Sequence, residues 1–159
     1  MNDPYFSEPA LLVIGYGNTL RQDDQAGPVV AERIAAATLP GVRTLICAQL
    51  SPEHAEAVAI ARMVVFVDAQ VGQVREPKLR RVLPGGSSQV TTHAVEPRTL
   101  LALARDVYGH APQGWLLTVP AIRLGFGTDL SPLTRRNIAL AEDKVIKLAR
   151  LQSAAACLR

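Results

Sequence analysis

No uninterrupted apolar run in this chain approaches the roughly 20 residues that a membrane span requires, so no membrane partner is expected. The opening segment, MNDPYFSEPA, has no basic stretch followed by a hydrophobic one, and does not read as a secretory signal. There are only two cysteines, Cys47 and Cys157, too few for a disulfide framework. A reducing, cytoplasmic setting is therefore the expectation. Aromatic residues make up 4%, too little for a base-stacking platform. The net charge of +3 is spread over scattered Lys and Arg, and the pairs Arg80-Arg81 and Arg135-Arg136 read as solvated faces. Nucleic acid is not an expected partner.

What is present is a core. Hydrophobic residues are 48% of 159, enough for one domain over 1–159 with an ordered centre of about 11–151. Strand-like and helix-like segments alternate. Residues 11–14 form a continuous apolar run, as in a strand buried on both faces. Residues 27–39 carry Val29, Val30, Ile34 and Ala37 at helical spacing, with Pro28 tolerable in the first turn. Residues 42–47 read as a second strand and 52–61 as a second helix opened by Pro52. The run MVVFV at 63–67 is the clearest buried strand, with Asp68 directly after it. Residues 78–83 read as a short strand; 69–77 is too short for a helical crossover, so this strand pairs antiparallel or lies at an edge. A polar loop over 87–92 ends at His93. A third helix follows over 97–108, ended by Gly109, then a strand at 116–119. The last helix spans 131–151, with Ser131 as N-cap and Pro132 at its first position, before a fraying tail at 152–159. The order is that of a three-layer α/β/α sandwich around a mostly parallel sheet.

The segment LLVIGYGNTLRQDDQAG, residues 11–27, concentrates the chemistry. A strand ends in the glycine-bracketed turn Gly15-Tyr16-Gly17-Asn18, then delivers Asp23 and Asp24 to a helix start. In open α/β sheets the carboxyl ends of the strands share one edge, and that edge holds the ligand sites. Asp24 follows the first strand, Asp68 the third, and His93 precedes the third helix, so the three can converge there. Two carboxylates and an imidazole suit a divalent transition metal; zinc, nickel, manganese and iron all accept them. Singly, each has a plainer reading: a first loop residue for Asp68, a solvated loop His for His93, and a helix cap for Asp23. Other features carry less. Gly15-Tyr16-Gly17 lacks the third glycine of a dinucleotide fingerprint, and no P-loop lysine follows. Cys47 reads as core, no serine sits in a nucleophile elbow, His54 reads as the wet face of a helix beside Glu53 and Glu56, and His110 as structural.

Four blocks in order, GYGNTLRQDD, FVDA, the loop around His93 with Leu100-Leu101 downstream, and GFGTDLSP, resemble the hydrogenase maturation proteases over about residues 11–150. These are cytoplasmic endopeptidases that remove a C-terminal extension from the large subunit of nickel-iron hydrogenase after nickel insertion. The resemblance implies an α/β/α fold with a twisted five-stranded sheet, and matches Asp24, Asp68 and His93 to the family's three metal-contacting positions. It implies that nickel arrives with the large-subunit precursor; Tyr16, Asn18, Gly125, Gly127 and Asp129 are expected to contribute to substrate recognition, and a monomer is the expected state. Departures are Asp24 where the family often has Glu, Gln25 where Gly is common, and Thr118-Val119-Pro120 in place of a glycine-containing strand end. A non-cleaving nickel-site checkpoint, or a small-molecule enzyme of phosphate or nucleotide chemistry, would use the same turn and ligands.

Overall fold

The computed structural model describes residues 8–85 and 95–157. Five strands, β1 (Leu11–Tyr16), β2 (Val42–Cys47), β3 (Met63–Val71), β4 (Lys78–Val82) and β5 (Gln113–Ala121), form one sheet in the order β2-β1-β3-β5-β4. All neighbours are parallel except β4 and β5. Helices α1 (Ala26–Ala36) and α4 (Pro132–Cys157) cover one face; α2 (Ala55–Ala59) and α3 (Pro97–Tyr108) cover the other. The architecture is the expected α/β/α sandwich, with β4 antiparallel at an edge. Among the described residues no helix is long and apolar enough to cross a membrane.

Alternation explains why the central strands read as continuous apolar runs. Leu11 and Val13 of β1, Val65 and Val67 of β3, and Leu117 and Val119 of β5 pack under α1 and α4. Leu12, Ile14, Val64, Phe66 and Leu116 pack under α2 and α3. Both faces are dry, so every position must be apolar. Phe66 is fully buried; removing it to Ala would cost about 3–5 kcal/mol. α3 starts at Pro97 and stops at Gly109, whose φ of 80° closes the helix through its N–H to Arg105.

Several boundaries differ from the sequence reading. β3 runs on to Val71, so Asp68 lies inside the strand rather than after it. The cause is β5, which is longer than expected and pairs Asp68 with Thr118 through Val71 with Ala121. The first helix is preceded by a tight turn at Gln22–Gln25 and ends at Ala36. The second begins as a tight turn at Pro52–His54, in which His54 is half-buried and not on a wet helix face. Its Nδ1 accepts the Ser51 N–H at 3.0 Å, part of a capping box. α4 continues through 152–157 instead of fraying; Ser153 Oγ donates to the Ala149 carbonyl at 3.1 Å.

The chain steps from β1 outward to β2, then back across to β3. The carboxyl ends of β1 and β3 therefore flank the point where the winding reverses, which in such sheets opens a crevice.

Candidate functional site at the carboxyl edge of the sheet

Two glycines let the chain after β1 fold back on that crevice. Gly17 has φ +149°, and a Cβ there would collide with the backbone carbonyl of Asp24. A Cβ on Gly27 would collide with the carbonyls of Val67 and Tyr16. The start of α1 thus rests directly on the ends of β1 and β3, and only glycine permits the approach. Asn18 supports the turn twice: its Oδ1 accepts the Leu20 N–H at 2.9 Å, and its own N–H donates to Asp24 Oδ2 at 2.7 Å. Asp24 is held half-buried, and its charge is felt at Asp68.

Asp68 comes to the same place from β3. Gly15 pairs with Val67, so the next step sets Tyr16 beside Asp68 on the α2/α3 face. The Tyr16 hydroxyl donates to the Asp68 carboxylate. The Asp68 carboxyl is raised to about 6, by burial first and the nearby Asp24 charge second, against the bonds from Tyr16 and the Ala69 N–H, which pull it down. Burial, then the Asp68 charge, pushes the Tyr16 phenol well above its ordinary value, so Tyr16 stays a donor at any working pH. Cys47, opposite Tyr16 on β2, has its thiol raised by burial. It is not an activated thiolate.

Asp24 lies near enough to Asp68 for its charge to be felt at the Asp68 carboxyl. His93 lies outside the described residues. Among the described residues no three His, Cys, Asp or Glu side chains form a metal-holding group. One oxygen from each carboxylate would be half of a tetrahedral ligand set or a third of an octahedral one, and two neighbouring negative charges suit a cation.

Asp23 is a different matter. No side-chain cap bond forms at the turn or at α1. Instead Asp23 is completely buried and its carboxylate accepts from the N–H groups of Ile122 (3.0 Å), Arg123 (2.8 Å) and Ser131 (2.7 Å), and from the Ser131 hydroxyl (2.8 Å). Burial alone would raise its pKa; those bonds overcome it and hold the carboxyl below its ordinary value. Ser131 is the N-cap expected for α4, since its Oγ accepts the Thr134 N–H at 3.3 Å. Asp23 thereby fixes the end of the 122–131 loop to the turn after β1.

The neighbours of Asp23 do the same. Arg21 donates through Nε and Nη2 to the Leu124 carbonyl, at 3.1 and 2.9 Å, and its guanidinium stands 5.7 Å from the Phe126 ring centre. Gln22 accepts the Gly125 N–H at 3.2 Å and donates its own N–H to the Gly127 carbonyl at 2.9 Å. Gln25 donates to the Thr128 carbonyl at 2.7 Å. Gln22 sits at φ 45°, a conformation that costs a non-glycine residue about 1–2 kcal/mol. Residues 21, 22, 23 and 25 all strap the distant loop; the Asp24 charge is instead felt at Asp68. Gly125 and Gly127 are thus shaped by this strap, Gly127 at φ +137°, while Asp129 is exposed. The strap was not anticipated from sequence. Its only signal is the glycine-rich GFGTD, which announces a close backbone approach without naming the partner.

No family model matches the sequence, and no curated protein does. Solved structures do. HycI, a NiFe hydrogenase maturation protease from Thermococcus kodakarensis, superposes with a TM-score of 0.66 at 22% identity, over 94% of this chain and 96% of that one. The hydrogenase-maturating endopeptidase HybD from E. coli gives 0.70 at 22%, over 88% and 91%. A hydrogenase 2 maturation peptidase from a Thaumarchaeota archaeon gives 0.63 at 21%, over 87% and 96%. The chain has the fold of the hydrogenase maturation proteases. In the maturation-protease fold of this chain, the carboxyl edge carries Tyr16, Asp24 and Asp68, and the strapped loop borders it.

Proposed function

We propose that the protein is an endopeptidase of hydrogenase maturation. It removes the C-terminal extension of a nickel-iron hydrogenase large subunit after nickel is inserted, acting in the cytoplasm as a monomer. The observation that carries this reading is the pairing of Asp24 and Asp68 beside the half-buried Tyr16, at the winding reversal of this fold. Nickel belongs to the substrate. Asp24 and Asp68, with His93 as the third group, meet that ion through two carboxylates and an imidazole, and so hold the precursor with its scissile bond over the crevice. Asp68, with its carboxyl near 6, exchanges a proton close to neutral pH, which suits general acid–base work on a water or a leaving amine. Tyr16 orients Asp68, Asn18 orients Asp24, and the 125–129 loop, with Gly125, Gly127 and Asp129, forms the wall against which the precursor packs.

Co-expression of the chain with a large-subunit precursor tests the reading. A mass loss equal to a C-terminal peptide is expected. Stable capture of the precursor without any mass loss would instead make the protein a nickel-site checkpoint, and a nucleotide retained through purification would favour small-molecule chemistry.

A further inference from the structure

Tyr16 and Asp68 belong to a row that crosses the whole sheet on its α2/α3 face. The register sets Cys47 beside Tyr16, Asp68 beside Thr118, and Thr118 beside Lys78. Arg80, two residues on, lies on the same face opposite Leu116. Lys78 and Arg80 are exposed, and neither forms an ion pair among the described residues. The positive charge of Arg80 is felt at the Tyr16 hydroxyl, where it opposes the Asp68 charge. Arg81, the next residue along β4, turns to the other face, 5.2 Å over the Trp115 ring. One edge of this face is thus anionic, at Asp24 and Asp68, and the adjoining end is cationic.

We infer that Lys78 and Arg80 form a subsite for an acidic side chain of the polypeptide substrate, next to the bond held at Asp24 and Asp68. This rests on the endopeptidase reading above. Asp68 and Lys78 are two strand spacings apart, or about 10 Å. An extended peptide advances about 3.3 Å per residue, so the acidic residue falls about three positions from the scissile bond. A cation pair set beside a carboxylate pair also repels the reversed charge pattern, which gives selectivity between precursors. Charge on an edge strand discourages strand addition whichever face bears it, so the test must depend on the sign of the substrate.

The experiment compares wild type with Lys78→Glu/Arg80→Glu on a nickel-loaded precursor, by intact mass over time. Lys78→Gln/Arg80→Gln serves should the reversal disturb β4, and thermal melting checks the fold of each. Charge reversal is expected to lower kcat/KM by about tenfold or more, with a weaker salt dependence than wild type. A precursor whose acidic residues within three or four positions of the cut are changed to Lys should recover cleavage by the reversed enzyme and lose it with wild type. Unchanged kcat/KM in the folded variants, or a loss that no charge-swapped precursor relieves, would overturn the subsite. Should wild type cut nothing, the endopeptidase reading fails on its own. Binding of a labelled precursor C-terminal peptide, measured by anisotropy, then decides the subsite: weaker binding by the reversed variant supports it and equal binding overturns it.

Discussion

Of two adjacent carboxylates in the turn after β1, one is sealed beneath the loop into α4 and the other stands at the open edge beside Asp68. Asp23 accepts bonds from Ile122, Arg123 and Ser131, and its charge stabilises the fold. Asp68 is half-buried beside a second carboxylate, and its charge is disfavoured by the fold. The same residue type is a structural pin in one region and a source of stored electrostatic strain in the other. Groups that a fold satisfies fully hold it together. Groups whose charge it disfavours, here by burial first and a neighbouring carboxylate second, mark where a ligand is to be met.

The largest effect expected from this contrast is on activity. Asp24→Asn and Asp68→Asn should each lower precursor processing by about 10²–10⁴-fold while circular dichroism shows an intact fold. Asn keeps the shape but is a poor metal ligand and no proton acceptor. Normal processing by either variant would erase the distinction between the two regions.

The next effect is on stability, and falls on the other carboxylate. Asp23→Asn sets an amide among hydrogen-bond donors in a buried site, and should cost about 2–3 kcal/mol in urea unfolding. This reverses the expectation from a simple helix cap, which Asn would have preserved. Its processing rate should fall only as its folded fraction falls.

The pH dependence of stability runs in opposite directions for the two. The Asp23 carboxyl is depressed in the folded state, so its contribution is present above the ordinary carboxylate value and is lost as pH falls through the lower folded value. The Asp68 carboxyl is raised to about 6, so its contribution is present below the ordinary value and is lost as pH rises to about 6. Urea titrations at pH 4, 5, 6 and 7 should therefore show Asp68→Asn gaining on wild type by about 1–2 kcal/mol between pH 4 and 6, then holding level, after allowance for partial exposure. A constant difference across that range would remove the electrostatic strain from Asp68.

Smaller still is the effect of Tyr16→Phe. It deletes the bond that holds the Asp68 carboxyl down, so the acid limb of the processing profile should move to higher pH with little change in melting temperature. The smallest is Arg21→Ala, which releases Leu124 and Phe126 at the surface and should cost less than about 1 kcal/mol.

The fold was legible where local chemistry sufficed. The buried strands, Pro97 and Gly109 around α3, and Ser131-Pro132 at α4 all announce themselves. The shared edge of Asp24 and Asp68 follows from parallel topology alone, which puts strand ends together. The position of Asp68 inside β3 was not legible, since it depends on how far β5 runs alongside. Nor was the role of Asp23: its partners lie about a hundred residues on, and nothing local distinguishes it from Asp24. His93 falls outside the described residues.

The most direct test of the division between the two carboxylates, and of the proposed nickel-dependent cut, is the intact mass of purified precursor after incubation. Nickel-loaded and nickel-free precursor are each mixed with wild type, Asp23→Asn and Asp24→Asn. Wild type and folded Asp23→Asn should cut the loaded precursor once, near its C-terminus, and leave the nickel-free form whole; Asp24→Asn should cut neither. Cleavage of both forms alike, or full processing by Asp24→Asn, would contradict the account.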